Sequence, residues 1–438
     1  MNANSFSKSL RFYPWFILAL ASLMLFYKYL LQVFPSVITS ELMQDFQLSG
    51  AGLGNLAACY FYSYLIMQFF SGYLIDRFPL KLMIIGSLII SALGAFLFSV
   101  GNILAFALLG RALMGVGAAF ATVGYMKIAA IYFPANRFAF VSGLLTLGVM
   151  LGAVFGQAPL ALLIQSQGWH LGLIYIALAG GGISLLYFIF ISVKSNHSHA
   201  FPIQQRQKIT STDIVHLLKN KTNWYLTLYS GLAFAPMAVF GGLWGTPFIS
   251  TGYHLTAAKA SLIVSMVYVG FGFGGPLFGY LADRFGQRFR FMTIGLFLSL
   301  FSLLCVVYLI SNLTGLMLAT FLFGLGTGGF MIAFSVGKDA NPIYIAATVI
   351  AFINSGDAIC GAISEPAIGK ILDITSQVHT IPMQFSLSSY HMAFILLPLE
   401  LILAYAFLKL AQRSVQLRCS TGTSKRAADK PWNILDPR

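Results

Sequence analysis

Long apolar runs broken by short polar turns set the pattern of this chain. Twelve runs are long enough to cross a hydrocarbon core of roughly 30 Å, which needs about 20 residues. They lie at approximately 12–35, 50–73, 82–101, 103–126, 139–163, 171–193, 223–249, 258–282, 291–311, 315–337, 343–372 and 389–410, numbered below as spans 1 to 12. The connectors are short except for the polar stretch 194–222, which separates six spans from six more. The pattern predicts an all-α integral membrane protein of twelve transmembrane helices. A polar N-terminus, 1–11, leads into one six-helix bundle over 12–193; the linker 194–222 joins it to a second over 223–410; a basic tail, 411–438, is expected to be disordered.

One element is written twice. Gly72-Tyr-Leu-Ile-Asp76-Arg77-Phe78 ends span 2, and Gly279-Tyr-Leu-Ala-Asp283-Arg284-Phe285 ends span 8, 207 residues later and with six of seven residues identical. One span upstream of each hairpin stands a helix-start signal, Leu48-Ser49 and Leu255-Thr256. A repeat at this interval makes the two bundles pseudo-symmetric.

Composition agrees: 58% of the 438 residues are hydrophobic and 9% charged, against about 25% charged in soluble domains. The polar start and the length of the first apolar run argue against a cleaved signal. The net charge of +14 would suit nucleic acid, but its placement points to a bilayer. With the N-terminus cytoplasmic, 22 of the 26 Lys and Arg fall on the inner side, as the positive-inside rule requires. Both termini are then cytoplasmic, and lipid headgroups rather than nucleic acid are the expected anionic partner. The absence of long outer loops favours a bacterial inner membrane. Cys59, Cys305, Cys360 and Cys419 are scattered without metal-ligand spacing, so neither metal nor cofactor is expected. There is no phosphate-binding G-x-x-x-x-G-K-[ST] and no acidic cluster of a membrane enzyme; the expectation is a non-enzyme.

Charges within spans are costly and so mark candidate sites. At about 1.5 Å per residue, Lys28, Arg111 and Asp357 lie at similar depths, roughly 10 Å from the outer face. Tyr27 and Gln32 flank Lys28, and Asn354 lies one turn from Asp357. These six residues are the candidate solute-binding or coupling set. Two other readings stay open: a gate in which Lys28 or Arg111 pairs with Asp357, and Lys28 snorkelling to the lipid interface. Glu365 and Glu400 are secondary candidates, the first expected to pair with Lys370 and the second to meet a polar neighbour. Spans 1 to 6 carry no carboxylate in their apolar interior, so a co-transported proton would need Asp357, Glu365 or Glu400.

The hairpins resemble the loop signature of the major facilitator superfamily, G-x-L-x-D-R-x-G-x-[KR]. The second copy follows it through Gly286 and Arg288, while the first has Pro79 in place of the usual glycine. Gly110-Arg111-x-x-x-Gly115-x-Gly117 is similar to the span-4 signature of the same family, with Met114 where a Gln is frequent. The resemblance implies two bundles that alternate access to a central site. It also implies a cytoplasmic gate made by Gly72, Asp76, Arg77, Gly279, Asp283 and Arg284, and a coupling or substrate role for Arg111. The span-5 antiporter ending G-P-x-x-G-G is absent, with Gly152-x-x-x-Gly156-Gln-Ala-Pro159 only a loose echo.

The function expected is therefore a secondary active or facilitative transporter, working as a monomer. Two cations in the first bundle suggest an anionic or zwitterionic solute: an organic acid, an amino acid or short peptide, or a carboxylate siderophore. The alternative is a carrier of a neutral solute, or an exporter of drug-like compounds, in which the buried charges serve as a gate.

Overall fold

The computed structural model describes residues 3–101, 103–133, 141, 144–191, 211–310, 312–342, 345–376 and 385–420; the side chains of 3–12, Asp76, Ala130, Ser211, Ala347 and 418–420 fall outside that description. Most of the linker and the tail beyond 420 therefore lie outside the described residues. No strand occurs among those described.

Among the described residues, ten helical segments are long and apolar enough to cross a bilayer. The helices Gly50–Arg77 and Ala346–Thr375, of 28 and 30 residues, form spans 2 and 11 with more polar content. Bilayer solvent requires this all-helical solution, because each backbone N–H and C=O must find its partner within the segment. The outer faces are apolar: Phe69, Leu178 and Phe301 are each about two-thirds exposed, as lipid-facing side chains are. Helix starts are capped where the sequence offers an oxygen. Ser49 accepts from the N–H of Gly52 at 3.2 Å, Thr256 from Lys259 at 3.4 Å, and Asn312 from Gly315 at 2.7 Å.

Several spans are broken, and the breaks have identifiable causes. Span 1 (Ala3–Val33) passes into a 3-10 turn at Phe34–Val37 that contains Pro35. Span 5 divides at Gly156-Gln157 into Leu145–Phe155 and Ala158–Gln167. Span 7 runs as Lys221–Val239, a π-turn at Phe240–Trp244, and Gly245–Tyr253, with Pro236 one turn before the π-turn. Proline removes an N–H donor and wide turns take up the slack.

By contacts the chain divides into two compact units. The first comprises Met1–Gln205, Gly242–Ser265 and Glu365–Phe385; the second comprises Arg206–Gly241, Met266–Ser364 and Ser386–Arg438. In the first unit span 3 packs on spans 4 and 6, and span 1 on spans 5 and 6. In the second unit span 9 packs on spans 10 and 12, and span 7 on span 12. The same pairings three and nine, four and ten, six and twelve express the internal repeat. Besides spans 1 to 6, the first unit holds the ends of spans 7, 8 and 11 that lie away from the hairpins, called the far ends below.

Candidate functional site

Lys28 lies on span 1 and is buried, with 6% of its surface exposed. Its Nζ donates to the Tyr64 hydroxyl at 3.3 Å and to Thr122 Oγ1 at 3.4 Å. It also stands over the rings of Tyr64 and Tyr29, 4.6 and 5.1 Å from their centroids. A cation over tyrosine faces is stabilised by the ring quadrupole, more strongly once desolvated. Lys28 and Tyr27 line a small cavity with Ser87, Ser91 and Gly117, of about 10 Å³, room for a single water. Tyr27 is packed under Gly180, where a side chain of any size would strike the ring. Gln32, one turn further, is buried.

Arg111 is enclosed, 1% exposed, and its partners are backbone. Nη1 donates to the Leu31 carbonyl at 2.7 Å and Nη2 to the Ala57 carbonyl at 2.8 Å. The Leu31 carbonyl needs a donor because the residue four on is Pro35, which has no N–H to complete the helix. Arg111 supplies it, and so fastens spans 1 and 2 to span 4. The guanidinium also lies 4.9 Å from the Tyr60 ring centroid and 5.3 Å from that of Phe34. Its Nε has no partner.

Glu365, on the far half of span 11, lies within electrostatic reach of Arg111 and Tyr62. It is 2% exposed, and its Oε2 has no hydrogen-bond partner. Trp244 Nε1 donates to its backbone carbonyl at 3.1 Å. The expected pairing with Lys370 is not made: Lys370 is exposed, because five residues along a helix carry a side chain well off the face of Glu365. Span 2 closes over this region, with Gly54 against the Glu365–Pro366 backbone and Gly50 against Gly369.

In the second unit Asp357 is buried and its Oδ1 accepts from Ser230 at 2.6 Å. Gly231 and Gly356 let spans 7 and 11 approach backbone to backbone beside it. Asn354, one turn away, is half-buried. Glu400 on span 12 is buried and accepts from the Ser364 hydroxyl.

The hairpins use their arginines locally. Arg77 Nη1 donates to Tyr73 at 3.0 Å, and Arg284 Nη1 to Tyr280 at 2.8 Å, each four residues back on its own helix. Asp283 faces Arg288 across the turn at 3.8 Å, and Arg288 also bridges to Asp339 at the end of span 10. Gly286 takes a positive φ of 66°, the left-handed turn that glycine tolerates. Gly72 and Gly279 have open space around them. The side chain of Asp76 lies outside the described residues.

Two features were not singled out in the sequence. Asp373, on the far end of span 11, accepts from the N–H groups of Gly50 at 2.6 Å and Ala51 at 2.9 Å, so its carboxylate caps span 2 from a different helix. Its place at a span end was the only hint. Gln157, fully buried at the break in span 5, accepts from Ser36 at 3.2 Å and Thr246 at 3.3 Å, tying three broken helices together. The cue was a glutamine inside Gly156-Gln157-Ala-Pro159.

Similarity to known proteins agrees with this architecture. A bacterial homologue of the human lysosomal transporter Spinster superposes with a TM-score of 0.76 at 16% identity, covering 92% of this chain and 97% of that one. The nucleoside transporter NupG superposes with a TM-score of 0.69 at 15% identity, covering 90% and 99%. At such identities the likeness shows the fold alone. The transporter YybO of Bacillus subtilis is 23% identical over 426 residues, 87% of this chain and 91% of that protein. The quinolone resistance protein NorA of Staphylococcus aureus is 25% identical over 277 residues, 61% of this chain and 66% of NorA, just under two thirds of its length. The Major Facilitator Superfamily model matches residues 15–244 and 226–434; the chain is a multi-pass integral membrane protein and belongs to that family of transporters.

Proposed function

We propose that this protein is a secondary transporter that moves a small anionic or zwitterionic solute by alternating access, with the solute's acidic group held at Lys28. The observation that carries this reading is the setting of Lys28. Lys28 is 6% exposed and lines the cavity, and its ammonium bonds the hydroxyls of Tyr64 and Thr122 and stands over ring faces. An ammonium that lines a cavity makes a strong charge-assisted hydrogen bond with a carboxylate that reaches it. Arg111 has a different task in this reading. Two carbonyls hold it in place, which suits coupling between spans better than capture of solute. The count of Lys and Arg supports a cytoplasmic side for the hairpins and both termini, and bacterial relatives favour the inner membrane.

The second reading is export of drug-like compounds, favoured by the name carried by the NorA relatives. Both are tested by a thermal-shift screen of the purified protein with organic acids, amino acids, dipeptides, sugars and quinolones. A ligand at about 100 times its dissociation constant stabilises by roughly 2.7 kcal/mol. Carboxylate compounds are expected to raise the melting temperature of the parent and of Asp357→Asn, and to lose the effect in Lys28→Ala. A neutral compound that stabilises parent and Lys28→Ala equally would reject the substrate class. Stabilisation confined to quinolones would favour the second reading.

A further inference from the structure

We infer that Glu365 is a proton-binding site whose access to water is controlled by the seal between spans 2 and 11. The inference rests on the transport reading but not on the identity of the solute. Three carboxylates lie within spans, and the structure separates them by their hydrogen bonds. Asp357 receives a hydroxyl from Ser230 at 2.6 Å, and Glu400 receives one from Ser364. Oε2 of Glu400 and Oε2 of Glu365 both lack a donor, but Glu400 keeps its other oxygen bonded, whereas Glu365, the most enclosed of the three, has no described donor to its carboxylate. A buried carboxylate in that position has two ways to be stable: a nearby cation, or a proton.

Both are within reach, and the competition between them is built into the fold. Among the described residues, Arg111 from span 4 and Tyr62 from span 2 are the titratable or charged groups that face Glu365. Span 7 contributes Trp244 and Gly242, which carry no charge, and Lys370 on the same helix is exposed. Tyr60 and Cys59 surround Arg111 rather than Glu365. Arg111 cannot swing over to the carboxylate without abandoning the Leu31 and Ala57 carbonyls. The cation is thus fixed on the framework of spans 1, 2 and 4, while the carboxylate rides on span 11. Any motion that parts span 2 from span 11 weakens the interaction with Arg111 and lets water in at once. The carboxylate then takes a proton from hydronium, leaving water. When access changes, the O–H gives the proton back to water and the charge interaction returns. Gly54 against Glu365–Pro366 and Asp373 on Gly50 and Ala51 are the contacts that must open.

Infrared spectroscopy of the purified full-length protein, with no solute added, tests this. Raising the pH from about 5 to about 9 should abolish a protonated-carboxyl C=O band from a buried acid. The band should persist in Asp357→Asn and Glu400→Gln and vanish in Glu365→Gln. Asp373→Ala, which loosens the same seal, should move its midpoint. A band that survives Glu365→Gln, or a parent with no titrating band, overturns the proposal. If Glu365→Gln is not recovered folded, Glu365→Asp decides: a displaced band supports the assignment and an unchanged one rejects it. Failure of carboxylate solutes to bind at Lys28 would leave these spectra unaltered, so the two readings fail separately.

Discussion

At the scale of single residues, the buried cations differ in what holds them. Arg111 is fixed by two carbonyls, one of which is orphaned by Pro35, whereas Lys28 is held by hydroxyls and ring faces. Replacing Arg111 by Met therefore removes two charged hydrogen bonds and leaves the Leu31 carbonyl without a donor. Such bonds contribute about 1.5–3 kcal/mol each in soluble proteins, and measured values within bilayers average about 0.6 kcal/mol. Arg111→Met is expected to lose about 1–3 kcal/mol, read as a lower melting temperature in detergent. Arg111→Lys keeps the charge but cannot fork to two carbonyls, so its loss should fall between parent and Met. Equal stability of the Lys variant and the parent would show that charge alone matters.

At the scale of elements, the reading from sequence succeeded where one helix suffices and stopped where two must meet. Span positions followed from apolar length, and the Ser49 and Thr256 caps from residue type, because each is decided within a few residues. The hairpin repeat was legible for the same reason, yet the partner of Asp283 was not: Arg288 faces it, while Arg284 turns back to Tyr280. Lys28, Arg111 and Asp357 stood out because charges in apolar runs are costly, but nothing local says that Arg111 will face Glu365 or that Glu365 will not face Lys370. The role of Asp373 was hidden for the same cause, since its partners lie more than 300 residues away. That carboxylate caps span 2 beside the helix's own cap, Ser49. An N-cap contributes about 1 kcal/mol, which is roughly fivefold in an opening equilibrium. In Asp373→Ala, the amides at 50–51 should exchange with deuterium about five times faster, while those around Asn312, capped independently, should not change. Unaltered exchange at 50–51 would mean that Ser49 suffices.

At the scale of the whole molecule, transport requires states of nearly equal energy, so contacts that hold one state must be modest and separable. The far ends of spans 2 and 11 meet this condition. They are joined by close glycine packing and by one capping carboxylate, with no described ion pair between them. Glycine is required here by approach: a Cβ on Gly54 would sit 2.6 Å from the Glu365 carbonyl oxygen, against backbone that cannot swing aside. Overpacking of this kind costs about 1–3 kcal/mol. Because the cost falls only on the state in which the two helices touch, Gly54→Ala should shift the population toward an open far side by about fivefold or more. Faster deuterium exchange across 50–58 and 362–373 is the expected signature. Gly86→Ala and Gly181→Ala are the controls, since both sites have open space for a methyl. If Gly54→Ala lowers the melting temperature while exchange in these segments stays at the parent rate, the contact is plain packing and carries no part of the conformational switch. If exchange rises there alone, the far-end seal is the element on which the transport equilibrium turns, and Glu365 lies directly beneath it.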